Sequence, residues 1–180
     1  MKLPTPSLRV VVAPHDPSFA QRAIEDGDAI RRALGDDVLV VHHIGSTAVP
    51  IPAKPILDLM PIVRDVAALD RPEAIAAMQA LGYEAHGEYG IAGRRFFTRV
   101  DENETRTHNV HCFAEGAPEM PRHLAFRDYL RAHPEEAQAY GALKEKLAAA
   151  HPTDIVAYMD GKDALIKELE RRALSWSGRP

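Results

Sequence analysis

A Gly-Ser-Thr turn and a lone carboxylate stand close together in the stretch HHIGSTAVPIPAKPILDL. Gly45, Ser46 and Thr47 follow one apolar run, and Asp58 lies in a second, twelve residues after Ser46. Glycine lets the backbone approach a bound group, while serine and threonine offer hydroxyl and N–H donors that suit phosphate oxygens. The triplet is therefore either a phosphate-binding turn or an ordinary structural turn.

Asp58 is a charged residue inside a predicted apolar strand. Alternate residues of a strand share one face, so Asp58 lies in a row with Met60 and Ile62. A charge on an apolar strand is costly unless it is paired or ligates a metal. Two interpretations stay open, a functional carboxylate and a structural ion pair with Lys54 or an arginine.

The segment THNVHC carries a second candidate. If residues 107–113 form a strand, Asn109 and His111 point to one face. His111 could then ligate a metal with Asp58, carry a proton near neutral pH, or satisfy a buried polar contact.

Two arginines follow a glycine-rich segment, GEYGIAGRRFF, which has three glycines within seven residues. This pattern predicts a mobile loop that leads Arg94 and Arg95 into a strand. Arginine can donate two parallel hydrogen bonds to a phosphate, so the pair suits an anionic ligand. The alternative is a solvated loop with surface arginines.

The C-terminal third repeats a tyrosine and a lysine four residues apart, as Tyr140 with Lys144 and Tyr158 with Lys162. Residues four apart share one helix face. Such lysines could close over a triphosphate or another polyanion, or they could simply face solvent beside half-buried tyrosines.

The composition restricts the function classes. The 180 residues have a formal net charge of -4, which argues against a protein that coats nucleic acid nonspecifically. Cys112 is the single cysteine, which excludes an internal disulfide framework and CxxC zinc sites. A secretory leader and a stretch of about 20 apolar residues are not recognisable, so we expect a cytoplasmic protein that does not span a membrane. The P-loop, GxGxxG, GxSxG and HExxH motifs are missing.

These candidates need a framework of strands and helices. Apolar runs predict strands at residues 10–13, 38–44, 56–63 and 83–88, and a hairpin of residues 94–100 with 107–113. Helices are expected from Asp16-Pro17 to Gly35, over residues 70–81, and almost throughout from Pro121. The alternation predicts an α/β (α+β) fold, with an α/β region at residues 1–118 and a helical subdomain at residues 119–176.

The chain resembles the GrpB family, also called UPF0157, a group of small bacterial proteins. The matching segments are HIGSTAVPIPAKPILDL, EYGIAGRRFF, THNVHCF, FRDYLRAHPEEAQAYGALKEKLA and AYMDGKDALI, which reach from about residue 11 to residue 173. The resemblance implies a nucleotidyltransferase-like mixed sheet flanked by helices. In active members of that superfamily, a Gly-Ser turn holds the nucleotide phosphates, and an acid-x-acid pair with a third carboxylate holds Mg²⁺.

The chain matches this pattern only in part. Gly45 and Ser46 match the turn and Asp58 matches the first acid, but Met60 stands where the second acid belongs. A thioether does not ligate a hard cation such as Mg²⁺. Either His111 and an acid such as Glu88 replace the missing ligands, or the protein only binds a nucleotide-like anion.

We therefore expect a protein that binds a nucleotide or another phosphorylated small molecule in a cleft, with or without metal-dependent nucleotidyl transfer. Asp58 and His111 are the catalytic candidates, and Asp58, His111 and Glu88 would hold Mg²⁺ or another divalent metal. The predicted ligand-binding residues are Gly45, Ser46, Thr47, Lys54, Arg94, Arg95, Tyr140, Lys144 and Lys162. The alternatives are a noncatalytic binding module, linked to coenzyme A because the family also occurs fused to dephospho-CoA kinase, and an interaction protein. The oligomeric state stays open.

Overall fold

The computed structural model describes residues 9–178, and in this range the chain forms five strands and five α-helices. The strands are β1 (Val38–Ile44), β2 (Leu57–Val63), β3 (Glu84–Ala85), β4 (Arg95–Val100) and β5 (Arg106–Ala114). The helices are α1 (Ser18–Leu34), α2 (Pro72–Ala80), α3 (Glu119–Ala132), α4 (Pro134–Ala150) and α5 (Ile155–Ser177). Among the described residues, no helix is both long enough and apolar enough to cross a bilayer.

The five strands form one mixed sheet in the order β1-β2-β5-β4-β3. Only β2 and β5 are parallel, and the other neighbours are antiparallel. A parallel pair needs a long connection, and here α2, β3 and β4 lie between β2 and β5 in the chain. The mixed α/β architecture expected from the sequence is confirmed.

The described chain divides into two compact units, which we call the sheet unit and the helical unit. The sheet unit comprises Ser18–Ile44 and Ile56–Met120, and the helical unit comprises residues 9–17, Gly45–Pro55 and residues 121–178. The Gly45–Pro55 segment between β1 and β2 thus groups with the C-terminal helices. The division into residues 1–118 and 119–176 stays a prediction, and its first eight residues lie outside the described range.

Strand β2 forms the centre of the sheet unit. Its side chains at Leu57, Leu59, Met60 and Val63 are completely buried. A strand with neighbours on both edges and both faces covered is apolar along its length, and LDLMPIV follows this pattern except at Asp58. Helix α1 packs on the same core through apolar residues such as Phe19 and Ile30.

The helical unit has a separate core in which α3, α4 and α5 pack with Val49 and Ile51. Helix α4 approaches the Gly45–Pro55 segment closely at Gly141, where a Cβ atom would lie 2.9 Å from Cδ of Pro52. Helix α5 begins at a capping residue, since the Asp154 side chain accepts a hydrogen bond from the Ala157 amide.

The predicted hairpin is confirmed, because β4 pairs antiparallel with β5. The strand expected at residues 83–88 shortens to β3. Beyond it, the His86 amide donates to the Phe96 carbonyl and the Phe96 amide donates to the Gly87 carbonyl, so two residues lie opposite one, and Gly87 has a positive φ angle. The strand expected at residues 10–13 reduces to a single bridge between Ala13 and Ala53, directly before Pro14. Proline has no N–H with which to continue the pairing.

The helix expected from residue 70 begins at Pro72. Before it, Val66–Asp70 forms a short 3₁₀ turn, which Asp65 caps by accepting a hydrogen bond from the Ala67 amide. The proline then occupies the first turn of α2, where its missing N–H has no helical partner to lose.

A polar network joins α1 to the β4–β5 hairpin. The Asp26 carboxylate accepts a hydrogen bond from Arg99 Nη2 at 3.1 Å and contacts Nε2 of His108 at 2.9 Å. Burial alone would raise the pKa of Asp26, but the hydrogen bond from His108 and the charge of Arg99 outweigh it and lower that pKa.

We predict that Asp26→Asn lowers the free energy of unfolding at neutral pH by about 1–3 kcal/mol, because Arg99 loses its charged partner. The folded pKa of Asp26 lies below its ordinary value of 3.8, so the carboxylate stabilises the fold above that value. The stabilisation is lost as the pH falls through the folded pKa. Urea unfolding of parent and variant should therefore differ at neutral pH and converge in acid.

The matched control is Asp28→Asn, two residues along the same helix and exposed. It should unfold like the parent at every pH. Equal stability of Asp26→Asn and parent at neutral pH would contradict the assignment.

Candidate functional site

The predicted site residues fall into two groups, one in each unit. The sheet unit contains Asp58, Glu88, Arg94, Arg95 and His111. The helical unit contains Gly45, Ser46, Thr47, Lys54, Tyr140, Lys144 and Lys162. A single cleft that unites the two groups stays a prediction.

Asp58 and His111 come together because β2 and β5 are parallel neighbours. Asp58 is paired with Asn109 across these strands, and Asn109 Nδ2 donates a hydrogen bond to Asp58 Oδ1 at 2.9 Å. His111, two residues further along the same face, places Nε2 3.6 Å from the same oxygen. Both side chains are partly accessible, with 25% of Asp58 and 17% of His111 exposed. The residue that sequence reasoning left without a role is Asn109, although its shared face with His111 was readable from strand alternation.

Arg94 contacts His111 at the ring nitrogen that does not face Asp58, and it is almost fully buried, with 5% exposed. Its Nη1 lies 3.2 Å from Nδ1 of His111, and its Nε and Nη2 donate to the carbonyl oxygens of Glu88 and Tyr89. The guanidinium also lies 4.7 Å from the ring centre of Phe96. Burial lowers the pKa of Arg94. The glycine pattern predicts a mobile loop that leads two arginines into a strand, with a solvated loop and surface arginines as the alternative. In the structure Arg94 is buried and its guanidinium bonds to carbonyls of the loop.

The Arg94 contact fixes the proton of His111. A guanidinium can only donate, so Nδ1 of His111 must accept and the imidazole proton is assigned to Nε2, on the side of Asp58. A histidine binds a metal through an unprotonated ring nitrogen. In this arrangement His111 presents an N–H towards Asp58, which does not favour a metal-ligand role.

Arg95 has a different partner from Arg94, although the two are adjacent. Its Nε and Nη2 each donate to Asp70 at 2.5 Å, and the hydrogen bonds from Arg95 lower the pKa of that carboxylate. Glu88 accepts a hydrogen bond from the Gly93 amide at 2.7 Å and lies 3.8 Å from Arg95. The two arginines therefore have separate partners, and Glu88 caps its own loop. Anion binding by Arg94 and Arg95 stays a prediction.

The donor set does not fit a two-metal site. Within residues 9–178, no three His, Cys, Asp or Glu side chains are close enough together to hold a metal ion, so Asp58 and His111 are not joined by Glu88. Met60, at the position of the second acid, is fully buried and offers only a thioether. Mg²⁺ prefers carboxylate, carbonyl and water oxygens.

The helical unit brings three lysines together. The side chains of Lys144 on α4, Lys162 on α5 and Lys54 are near enough for the charges of the other two to act on Lys144. Lys144 lies 4.7 Å from the ring centre of Tyr140, while Lys162 and Lys54 lie 5.1 and 5.8 Å from that of Tyr158. We call Lys54, Lys144 and Lys162 the lysine cluster. Sequence reasoning missed that one tyrosine, Tyr158, contacts two of these lysines.

Lys144 is the buried member of the lysine cluster. Its side chain is 2% exposed, and Nζ has no hydrogen-bond partner. Burial and the charges of Lys162 and Lys54 lower its pKa to about 7, against a smaller opposing effect of Glu145. Both interpretations of the tyrosine–lysine pairs assumed an accessible lysine, and for Lys144 the structure shows a buried one.

The Gly-Ser-Thr turn is a single 3₁₀ turn, Ser46–Ala48. Gly45 enters it with φ 71°, a conformation that favours glycine, and the amides of Ala48 and Val49 bond back to the carbonyls of Gly45 and Ser46. Thr47 is buried, and Arg131 of α3 donates to the Ala48 carbonyl at 2.8 Å. Phosphate binding by this turn stays a prediction.

Several curated relatives match most of the chain. The UPF0157 protein YqkA of Bacillus subtilis is 41% identical over 172 residues, covering 95% of this chain, and PA4798 of Pseudomonas aeruginosa is 37% identical over 175 residues, covering 96%. The chain spans 49% of the length of YqkA and 71% of PA4798. A protein named dephospho-CoA kinase, from Mycolicibacterium paratuberculosis, is 27% identical over 194 residues, a match that covers 47% of that protein.

Solved structures extend the comparison. GrpB from Enterococcus faecalis superposes with a TM-score of 0.87 at 40% identity, covering 94% of this chain and all of that one. The Cid1 poly(U) polymerase, solved with Mg and 3'-dATP bound, superposes with a TM-score of 0.53 at 14% identity, covering 76% of this chain and 42% of that one. The second likeness shows a nucleotidyltransferase-like fold and no more. The GrpB protein family model matches residues 9–172, and the chain therefore belongs to the GrpB family.

Proposed function

We propose that this GrpB protein binds a nucleotide or another phosphorylated metabolite, with phosphate groups held at the lysine cluster. The proposal rests on Lys144. Its Nζ is buried without a hydrogen-bond partner, and the positive charges of Lys54 and Lys162 disfavour its charged form. Burying an ammonium group without a partner is costly, and neighbouring positive charges add to that cost. A bound anion would offset both.

The ligand class follows from the chemistry of the cluster. Three ammonium donors from different segments suit a ligand with several anionic oxygens, and lysine is a common phosphate-binding residue. The rings of Tyr140 and Tyr158 are buried, and Lys144 and Lys162 lie within about 5 Å of their centres, where the ring faces attract a cation. The nucleotidyltransferase-like fold favours a nucleotide among the possible phosphorylated ligands, and the partial match to a dephospho-CoA kinase makes a coenzyme A precursor the second class to test.

Nucleotidyl transfer is a separate hypothesis. Asp58 and His111 lie on neighbouring strands, as the predicted metal site requires. However, Met60 takes the place of the second acid, His111 presents an Nε2–H, and Glu88 does not join the pair within the described residues. Asp58 is then the one carboxylate of the predicted metal set beside His111. Our proposal is therefore binding without transfer.

We predict that Lys162→Gln weakens binding of the preferred ligand about tenfold, because one charge-assisted contact to phosphate is lost. The ligands are ATP, CTP, GTP, UTP, dephospho-coenzyme A and inorganic tripolyphosphate, each titrated by calorimetry. The matched control is Lys167→Gln, on the same helix but exposed and paired with Asp163 at 2.6 Å. It should bind like the parent. The proposal fails if none of these ligands binds saturably, or if both variants lose affinity equally.

We also predict that labelled nucleotides with Mg²⁺ or Mn²⁺ bind the parent protein without releasing pyrophosphate. Asp58→Asn should then bind with the parent's affinity, because Asp58 would not contact the phosphates through a metal. Pyrophosphate release that disappears in Asp58→Asn would instead establish transfer chemistry and overturn the noncatalytic assignment.

A further inference from the structure

Lys144 lies where three segments of the helical unit meet. Its side chain points from α4 against Tyr140 of the same helix, and the charges of Lys162 on α5 and Lys54 in the Gly45–Pro55 segment act on it. It is the buried, unpartnered amine of the lysine cluster.

The groups around Lys144 leave it poorly suited to carry a charge on its own. Two of its ionisable neighbours are cations, Lys162 and Lys54. The acid that acts on it is Glu145, which is exposed on the same helix, so water weakens its field. Tyr140 offers a ring face, and burial raises the pKa of Tyr158 to about 12, so that tyrosine stays neutral near physiological pH.

We infer that the lysine cluster binds its anion together with a proton, which Lys144 takes up when the anion arrives. The inference rests on the proposed function and adds its pH dependence. The balance is simple, since a neutral amine gains one proton from water or buffer and becomes the ammonium that donates to the anion. No covalent bond to the ligand forms.

The lowered pKa of Lys144 supports this linkage. With a pKa of about 7 in the free protein, a large part of Lys144 is neutral at pH 8. A bound polyphosphate supplies negative charge and hydrogen-bond acceptors, both of which favour the ammonium form and raise that pKa. A group whose pKa rises on binding makes binding tighter as the pH falls. Affinity should therefore decrease by up to about tenfold per pH unit above pH 7 and level off at and below it.

The test measures protons as well as affinity. Inorganic tripolyphosphate is titrated into the full chain at pH 8 by calorimetry, in two buffers that differ in ionisation enthalpy, and the titration is repeated from pH 7 to pH 9. Tripolyphosphate itself exchanges protons in this pH range, so we expect the parent to take up close to one proton per anion more than a variant whose residue 144 does not titrate. Lys146→Arg, exposed on the same helix, should leave the uptake unchanged.

Two variants of Lys144 separate the outcomes. Lys144→Arg keeps its charge throughout this pH range, so the protons exchanged when it binds come from the tripolyphosphate alone, and the parent should take up close to one proton more. If the larger side chain prevents folding, Lys144→Met keeps the position filled and uncharged, and it should bind more weakly and show the same lower uptake as Lys144→Arg. Binding by the parent with the same proton uptake as these variants would overturn the inference and leave the proposed function intact. No binding at any pH would overturn both.

Discussion

The pairing of β2 between β1 and β5 is the constraint on which the sheet unit depends. Because β2 is buried on both faces and hydrogen-bonded on both edges, its register cannot slip without moving a row of apolar side chains out of the core. That register pairs Asp58 with Ile44 on one side and with Asn109 on the other. The carboxylate of Asp58 and the strand that carries His111 are therefore positioned by the register of β2.

Each unit contains a buried cationic side chain, and the two side chains differ in whether their N–H groups have hydrogen-bond acceptors. In the sheet unit, Arg94 is buried but satisfied, since loop carbonyls and His111 accept its N–H groups. In the helical unit, Lys144 is buried and its Nζ has no acceptor. A satisfied buried cation stabilises the conformation around it, whereas an unsatisfied one leaves free energy that a ligand can recover. This difference is why we assign binding to the lysine cluster and describe Arg94 as the anchor of its loop.

The sequence predicted the parts of the site that depend on local periodicity. Strand alternation placed Asn109 and His111 on one face, and the apolar pattern located β2 and the hairpin. It did not predict the burial of Lys144 or the anchoring of Arg94. An alanine-rich helix such as α4 does not reveal which face is covered, and a glycine-rich loop does not reveal that an arginine will bond to its carbonyls. The burial of Lys144 depends on segments that meet only in the folded helical unit. The anchoring of Arg94 depends on how its loop folds back and brings the carbonyls of Glu88 and Tyr89 to the guanidinium.

The close approach at Gly141 has a consequence for the charges. Gly141 lies three residues before Lys144 on α4, and a Cβ atom there would meet Pro52, two residues before Lys54. A methyl group at position 141 would require Pro52 to shift. The glycine therefore lets α4 and the Gly45–Pro55 segment come close together, in the arrangement in which the charge of Lys54 helps to lower the pKa of Lys144.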